Sequence, residues 1–184
     1  MCGTTASLCG LESALTPEEE ERALACDIML HAWMLTQSGV PVLYSGDEIA
    51  QLNDYSYHDD PDRREDSRYV HRGRFRWDLA ERRNDPETRQ GKLFSVLRRL
   101  ETLRAERNAF RSDAIMEPLD TGDDRVLALR RHYGDSRVTA LFNFSETRVD
   151  VRNPAPGGRD ALTGTVYGER RVSLPPYGFL WLDV

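Results

Sequence analysis

The sequence GVPVLYSGDEIAQLND, residues 39–54, decides which kind of fold the first half of this chain belongs to. Its run VPVLY, residues 40–44, is apolar at every position, and Gly46 interrupts it before two carboxylates, Asp47 and Glu48. A short run that is apolar on both faces is typical of a strand buried on both sides, as in parallel sheets covered by helices. We therefore expect a strand at residues 40–44 that leads into a functional loop.

The composition is that of a globular chain with an acidic balance. Of its 184 residues, 30% are charged and 39% are hydrophobic, and the net charge is −6. This balance argues against nucleic acid as a partner, because phosphate binding needs clustered Lys and Arg. No apolar run is long enough to cross a membrane, and no signal peptide is recognisable. The three cysteines have no metal-ligand spacing, which favours reduced thiols and a cytoplasmic protein.

Two helices are predicted before residue 110. Thr16, followed by Pro17 and three glutamates, combines a hydroxyl N-cap, a proline at the first helical position and acids near the positive end of the helix dipole. This pattern predicts a helix near residues 16–37. The sequence NDPE, residues 84–87, opens a second helix near residues 86–107. Between the helices, residues 45–83 form a polar loop of a length that is uncommon unless the loop is functional.

From about Phe110 the apolar period changes from helical to strand-like. Short strands separated by Gly, Pro, Asn and Asp are typical of a small antiparallel β-sandwich. The expected strands lie at residues 126–130, 138–144, 148–152, 170–174 and 179–184.

The expected fold class is α+β, with two domains that differ in kind. Residues 1–109 hold two helices and one strand, which is too little for a sheet and matches the end of a (β/α)₈ barrel, a fold of about 250 residues. Residues 110–184 are expected to form the antiparallel β-sandwich. The sequence thus predicts a C-terminal piece of a larger enzyme. Its helices and strand would expose apolar faces, so we expect the isolated chain to self-associate through residues 16–44 and the second helix.

The segment QSGVPVLYSGDEIAQLND, residues 37–54, resembles the eighth barrel strand and loop of the alpha-amylase superfamily, glycoside hydrolase family 13. The motifs LND, DSR-x-x-HR and RNDP follow in the order and at the spacing of the amylosucrase family. The sequences LFNFS, residues 141–145, and LPPYG, residues 174–178, resemble the C-terminal β domain of the same superfamily.

The resemblance implies a sucrose-cleaving α-glucosyltransferase that passes glucose to an α-glucan with retention. Retaining chemistry needs a nucleophile and an acid/base carboxyl about 5–5.5 Å apart. In this superfamily the catalytic carboxylates follow the fourth, fifth and seventh barrel strands, so all of them are expected upstream of residue 1. No residue of this chain is predicted to be catalytic, and no cofactor or metal is predicted. Sucrose and α-glucan oligosaccharides are the expected partners of the complete enzyme.

Arg68 and Arg72, in the DSR-x-x-HR motif, are the candidate substrate-binding residues, together with Asp66. In the amylosucrase family an arginine of this motif closes the bottom of the glucosyl pocket by pairing with an acid from an early loop. A guanidinium suits this role because its planar fork binds a carboxylate bidentately. The alternative is that both arginines hold the loop through local pairs with Asp66, Glu65 or Asp54.

Asp47, Glu48 and Asp54 are expected to structure the loop. Asp47 and Glu48 are adjacent just after the expected strand, so an extended backbone would direct them to opposite sides. They are then a poor pair for acid and nucleophile, and we expect these carboxylates to accept hydrogen bonds from the backbone and from arginines. His58 with Asp59, Asp60 and Asp62 fits no standard metal-binding loop.

Two other functions stay open. The chain could end a related α-glucosidase, an alpha-amylase-type hydrolase or a trehalose-forming isomerase, although the wording of the DSR-x-x-HR motif favours amylosucrase. It could also be a non-catalytic β domain used for packing or for glucan binding.

Overall fold

The computed structural model describes residues 2–184, which form two compact units. One unit comprises the chain through Asp27 together with Val42–Leu97, and the other comprises Ile28–Pro41 together with Arg98–Val184. This grouping differs from the division after residue 109 that the sequence suggests, because both Ile28–Pro41 and residues 98–109 group with the strands. The domain boundary at residue 109 stays a prediction.

The first long helix begins where the sequence predicts. After a short helix α1, Thr5–Leu8, helix α2 runs over Pro17–Thr36. The Glu19 N–H donates to the Thr16 hydroxyl at 3.2 Å, and the Glu19 carboxylate accepts from the N–H groups of Leu15 and Thr16 at 2.8 and 3.2 Å. This reciprocal capping satisfies N–H groups that have no partner inside the helix. The same hydrogen bonds hold the pKa of Glu19 below its usual value.

The second long helix begins three residues later than residue 86. Helix α3 covers Trp77–Ala80, and helix α4 covers Arg89–Ala105. Asp85 to Thr88 form a separate turn in which the Thr88 N–H donates to the Asp85 carbonyl, and the Thr88 hydroxyl then accepts from the Gly91 N–H at 3.1 Å. A Cβ at Gly91 would lie 1.9 Å from the Asp85 carbonyl oxygen, so only glycine allows this turn to rest on the helix. Within residues 2–184 none of the helices is both long and apolar enough to span a membrane.

The prediction of a strand at residues 40–44 is wrong. The segment is not a strand, and Val40 and Val42 are 84% and 79% exposed. Two apolar faces indicate a buried strand only if neighbouring strands cover its edges, and no strand of the described residues pairs with this segment. The predicted loop that follows contains short 3₁₀ helices at Asp47–Ile49, Tyr55–Asp59, Ser67–His71 and Glu81–Asn84.

The predicted antiparallel β-sandwich is confirmed in residues 115–183. The strands are β1 Ile115–Leu119, β2 Val126–Tyr133, β3 Ser136–Asn143, β4 Val149–Arg152, β5 Gly158–Asp160, β6 Val166–Tyr167, β7 Arg171–Leu174 and β8 Phe179–Asp183. One sheet has the order β1-β2-β3-β8-β5-β6, and β4 pairs with β7 in a second sheet. All of these pairings are antiparallel.

The core of the sandwich lies between the two sheets. Leu141 and Leu182 from the large sheet share a buried cluster with Val149, Val151 and Val172 from the small one. The central strand β3 is buried on both faces, because Phe142 and Ala140 alternate with Leu141 and are also fully buried. Burying an apolar side chain stabilises a fold by about 1.5–3 kcal/mol, so this cluster stabilises the packing of the two sheets on each other.

Two arginines of the second unit cap the C-terminal end of helix α2. Arg131 of β2 is fully buried and donates to the Thr36 carbonyl at 2.7 Å and to the Arg111 carbonyl at 2.7 Å. Arg104 of α4 donates to the carbonyls of Leu35 and Gly39. The last carbonyls of a helix lack partners within it and carry a partial negative charge, so cations are favourable there. Burial lowers the pKa of Arg104, and the charge of Arg131 lowers it further.

Candidate functional site

The loop begins with a tight turn that replaces the expected extended backbone. Gly46 has a φ of 104°, a left-handed conformation that glycine adopts without strain, and its N–H donates to the Glu48 carboxylate at 2.8 Å. Asp47 and Glu48 lie in the 3₁₀ helix Asp47–Ile49, so the expectation that an extended backbone directs them to opposite sides is wrong. The contact of Glu48 is of the kind expected for a loop-structuring residue, and that role stays a prediction for Asp47 and Glu48.

The LND motif, residues 52–54, is a junction of the first unit. The Asn53 amide oxygen accepts from the Thr4 N–H at 2.9 Å, and the Asn53 N–H donates to the Ser7 hydroxyl at 2.9 Å. The next residue, Asp54, donates its N–H to the Val70 carbonyl at 2.7 Å. These bonds connect three segments that are distant in sequence, which pattern reasoning did not predict.

Asp54 also caps the 3₁₀ helix Tyr55–Asp59. Its carboxylate accepts from the Ser56 N–H at 2.9 Å, and hydrogen bonds from the side chain and then the backbone of Ser56 lower its pKa, with a smaller contribution from the charge of Arg76. The backbone passes so close to this carboxylate at Gly73 that a Cβ there would lie 2.7 Å from Asp54 Oδ2. Asp54 thus holds the loop from within, and its loop-structuring role stays a prediction.

Arg68 pairs with Asp66 in a fork. The Arg68 Nε donates to Asp66 Oδ1 at 2.7 Å, and its Nη2 donates to Asp66 Oδ2 at 2.7 Å. The Arg68 N–H also donates to the same carboxylate at 3.0 Å, which caps the 3₁₀ helix Ser67–His71. These bonds from Arg68 lower the pKa of Asp66 to about 2. The side chain of Arg68 is nevertheless 63% exposed, so a further ligand can reach its guanidinium.

The same fork occurs at Asp123 and Arg125, in the turn between β1 and β2. The Arg125 N–H, Nε and Nη2 donate to the Asp123 carboxylate at 3.0, 2.9 and 2.7 Å, and the pKa of Asp123 is also lowered to about 2. The Asp-x-Arg fork is therefore not specific to the DSR-x-x-HR motif, although Asp62 and Arg64, at the same spacing in a turn, do not form it, because Arg64 pairs with Glu65 at 3.4 Å. The local pairing that the sequence left open for Arg68 is present, and the pairing itself carries no information about a pocket role, which stays a prediction.

Arg72 is placed differently. Its guanidinium lies over the Tyr69 ring, 5.6 Å from the centroid, and Arg63 lies 5.3 Å from the same centroid. In the described part of the chain no carboxylate forms an ion pair with Arg72. Arg72 thus forms no ion pair with the Asp66 carboxylate that holds Arg68, although its charge contributes to the lowered pKa of Asp66.

Two polar cavities open on this loop. One, of about 380 Å³, is lined by residues that include Gln51, Asn53 and Arg89, and the other, of about 390 Å³, includes Tyr69 and Arg72. Asp54, Arg74 and Arg76 line both cavities. Sequence reasoning did not single out Arg74 or Arg76, although arginines at alternate positions in RGRFR, residues 72–76, could have indicated one charged face.

The chemistry available at these cavities is binding by hydrogen bonds and charge. Guanidiniums bind carboxylates and phosphates bidentately, and they also donate to sugar hydroxyls. No three His, Cys, Asp or Glu side chains among residues 2–184 gather as metal ligands would.

No protein-family model matches the chain. Glucosylglycerate phosphorylase of Escherichia coli (strain K12) is 28% identical over 166 residues, which are 89% of this chain and 29% of that protein. The chain thus spans less than a third of the length of this curated relative.

Solved structures share the fold at low identity. AmyP E221Q in complex with maltotriose has a TM-score of 0.68 and 17% identity, with 96% of this chain and 37% of that chain covered. The trehalulose synthase MutB from Pseudomonas mesoacidophila MX-45 has a TM-score of 0.67 and 17% identity, with 86% and 38% covered. The chain therefore shares the fold of the matched parts of these two enzymes. The comparisons do not confirm amylosucrase.

Proposed function

We propose that the chain is the C-terminal part of a longer carbohydrate-active enzyme of the alpha-amylase superfamily, which transfers α-glucosyl groups with retention. Within that class the proposal is an amylosucrase-like enzyme that cleaves sucrose and passes glucose to an α-glucan. The catalytic carboxylates would be contributed by the barrel upstream, and residues 45–83 would form part of the rim of the glucosyl pocket.

The accessibility of Arg68 and Arg72 is the observation that carries this proposal. Both arginines of the DSR-x-x-HR motif lie exposed at the 3₁₀ helix Ser67–His71, and the backbone there is fixed by the Asp66 cap and by the bond from Asp54 to Val70. A rigid backbone with accessible guanidiniums is what closure of a pocket by an acid from another loop requires.

A second candidate is favoured by the glucosylglycerate phosphorylase relative. A phosphorylase differs from a glucosyltransferase in the acceptor, because phosphate takes the place of the sugar hydroxyl. The complete enzyme would then release glucose 1-phosphate rather than extend a glucan.

The test uses the full-length enzyme and follows sucrose with and without inorganic phosphate. We expect fructose and a growing glucan without phosphate. Fructose with glucose 1-phosphate only when phosphate is present would favour the phosphorylase, and untouched sucrose under both conditions would contradict the main proposal. The isolated 184-residue chain is the control, and we expect no turnover from it.

Variants of the full-length enzyme test the role of the loop. Loss of a hydrogen bond to a charged partner costs about 1.5–3 kcal/mol, so Arg68→Gln is expected to lower kcat/KM for sucrose by about ten-fold or more. Arg68→Lys keeps the charge without the fork, so its kcat/KM for sucrose should lie between those of Arg68→Gln and the unchanged enzyme. Arg82→Gln, on an exposed arginine of the same unit, is the matched control. Equal kcat/KM in all three variants would remove Arg68 from the pocket.

A further inference from the structure

The 390 Å³ cavity on the loop is lined by more positive than negative groups. Arg63, Arg72, Arg74 and Arg76 face two carboxylates, Asp54 and Asp60. The volume falls within the range of about 300–1,000 Å³ that small-molecule sites occupy.

The backbone at residues 72–76 explains why three arginines share this cavity. The segment lies between two helices, and exposure alternates along it: Arg72, Arg74 and Arg76 are exposed, whereas Gly73 and Phe75 are half-buried. The three exposed arginines all line the cavity. Gly73 lets this segment rest against Asp54, where a Cβ would approach the carboxylate to 2.7 Å.

The ion pairs around the cavity leave two of its arginines without a carboxylate. Arg63 pairs with Asp60 at 3.1 Å, and Arg76 pairs with Asp78 at 2.6 Å. Among the described residues, Arg72 and Arg74 form no ion pair. Asp54, a carboxylate of the cavity wall, accepts from the Ser56 N–H through Oδ1.

The Tyr69 ring lies beside two of these guanidiniums. It lies between 5 and 6 Å from both Arg63 and Arg72, at 5.3 and 5.6 Å from centroid to guanidinium carbon. Stacking of a guanidinium on an aromatic face limits its rotamers while its N–H groups remain free at the edge of the plane. Arg72 is thus held at the cavity before any ligand arrives.

We propose that this cavity binds a small molecule through an oxyanion, a phosphate or carboxylate group, held between Arg72 and Arg74. Sucrose and α-glucans carry no charge, so the site goes beyond the proposed sucrose-cleaving function and does not depend on it. For the phosphorylase candidate, whose acceptor is phosphate, the site would name residues that bind that acceptor. Inorganic phosphate, a sugar phosphate and a hydroxy acid share the required chemistry. Because the arginines are exposed, binding is weakened by salt and is of moderate affinity.

The test measures binding to the isolated chain by amide NMR at constant ionic strength. The ligands are inorganic phosphate, glucose 1-phosphate and glycerate, with sodium chloride as the reference. We expect saturable shifts at residues 72–76 with a dissociation constant in the millimolar range. Tighter binding of one of the three identifies the source of the oxyanion, and each of these results supports the site.

Matched variants make the test decisive. Arg74→Gln should weaken binding by about ten-fold or more, since a charge-assisted hydrogen bond is lost. Arg74→Lys, which keeps the charge and the stability of the loop, should bind with intermediate affinity, and Arg82→Gln should bind as the unchanged chain does. Shifts that do not saturate, that chloride reproduces, or that Arg74→Gln and Arg74→Lys leave unaltered would overturn the proposal. Binding is read without turnover, so its failure leaves the proposed sucrose-cleaving function untouched.

Discussion

The loop region, residues 42–88, and the sheet region, residues 98–184, are held together by different kinds of contact. The sheet region has a buried cluster between two sheets and long antiparallel ladders. The loop region has short 3₁₀ helices, three of them begun by a side-chain cap or a tight turn, and few buried apolar residues, among them Ile49 and Val70. The comparison teaches that the loop region relies on single hydrogen bonds, whereas the sheet region relies on burial.

Both regions contain an Asp-x-Arg fork. Asp66 with Arg68 and Asp123 with Arg125 have nearly the same distances. One belongs to a motif that the family resemblance associates with substrate, and the other lies in an ordinary turn. A local sequence therefore dictates local geometry, and function has to be argued from what lies around the pair.

The largest expected effect is the loss of stability when a buried apolar side chain is truncated. Leu141 is fully buried in β3, so Leu141→Ala should lower the free energy of unfolding by about 2–5 kcal/mol. Val42, 79% exposed, is the matched control, and Val42→Ala should change it by less than about 0.5 kcal/mol. Urea unfolding measures both, at a concentration below that at which the chain dimerises. Similar losses for the two variants would mean that the exposed segment is packed in solution.

Self-association tests that exposed segment further. Val40 and Val42 expose apolar side chains next to unpaired backbone groups, which invites pairing with a second copy. We expect a dimer at micromolar concentration by sedimentation, and Val42→Lys should shift the chain toward monomer. Thr165→Lys, in the turn between β5 and β6, controls for the added charge. A monomer before any substitution would contradict this expectation.

The smallest effect concerns the two forks and acid. The pKa of both Asp66 and Asp123 is lowered to about 2, so each pair contributes stability above the usual carboxyl value of 3.8 and loses it as pH falls toward 2. Carboxyl NMR titration should give both values. Arg68→Gln should raise the pKa of Asp66 toward 3.8 and leave that of Asp123 unchanged. Equal movement of both would show that net charge, rather than the fork, sets them.

The sequence predicted those elements whose signals are local. Thr16 and Pro17 located the start of α2, and alternating apolar residues located β2, β3 and β8. Strand β1, Ile115–Leu119, was missed because four of its five residues are exposed and Pro118 argues against a central strand. The strand at residues 40–44 was wrong because its inference needed neighbours that the described chain does not provide.

The candidate site was predictable only in part. The sequence identified Arg68, Arg72 and Asp66, and it left the pair between Arg68 and Asp66 as an open alternative. It could not show that Arg72 would stack on Tyr69 rather than meet a carboxylate, because that choice depends on the path of the loop. Arg74 and Arg76 were overlooked because the cavity that they share with Arg72 appears only once the path of the loop is known.

The arginines at the end of α2 have a consequence for the order of folding. Arg104 and Arg131 reach the carbonyls of Leu35 and Thr36 across 69 and 95 residues of chain. A helix can form within about a microsecond, but contacts that close long loops come late. We therefore expect the last turn of α2 to become stable only after β2 has formed. Its amides should become protected from hydrogen exchange at the same time as those of the sheet, and later than the rest of helix α2.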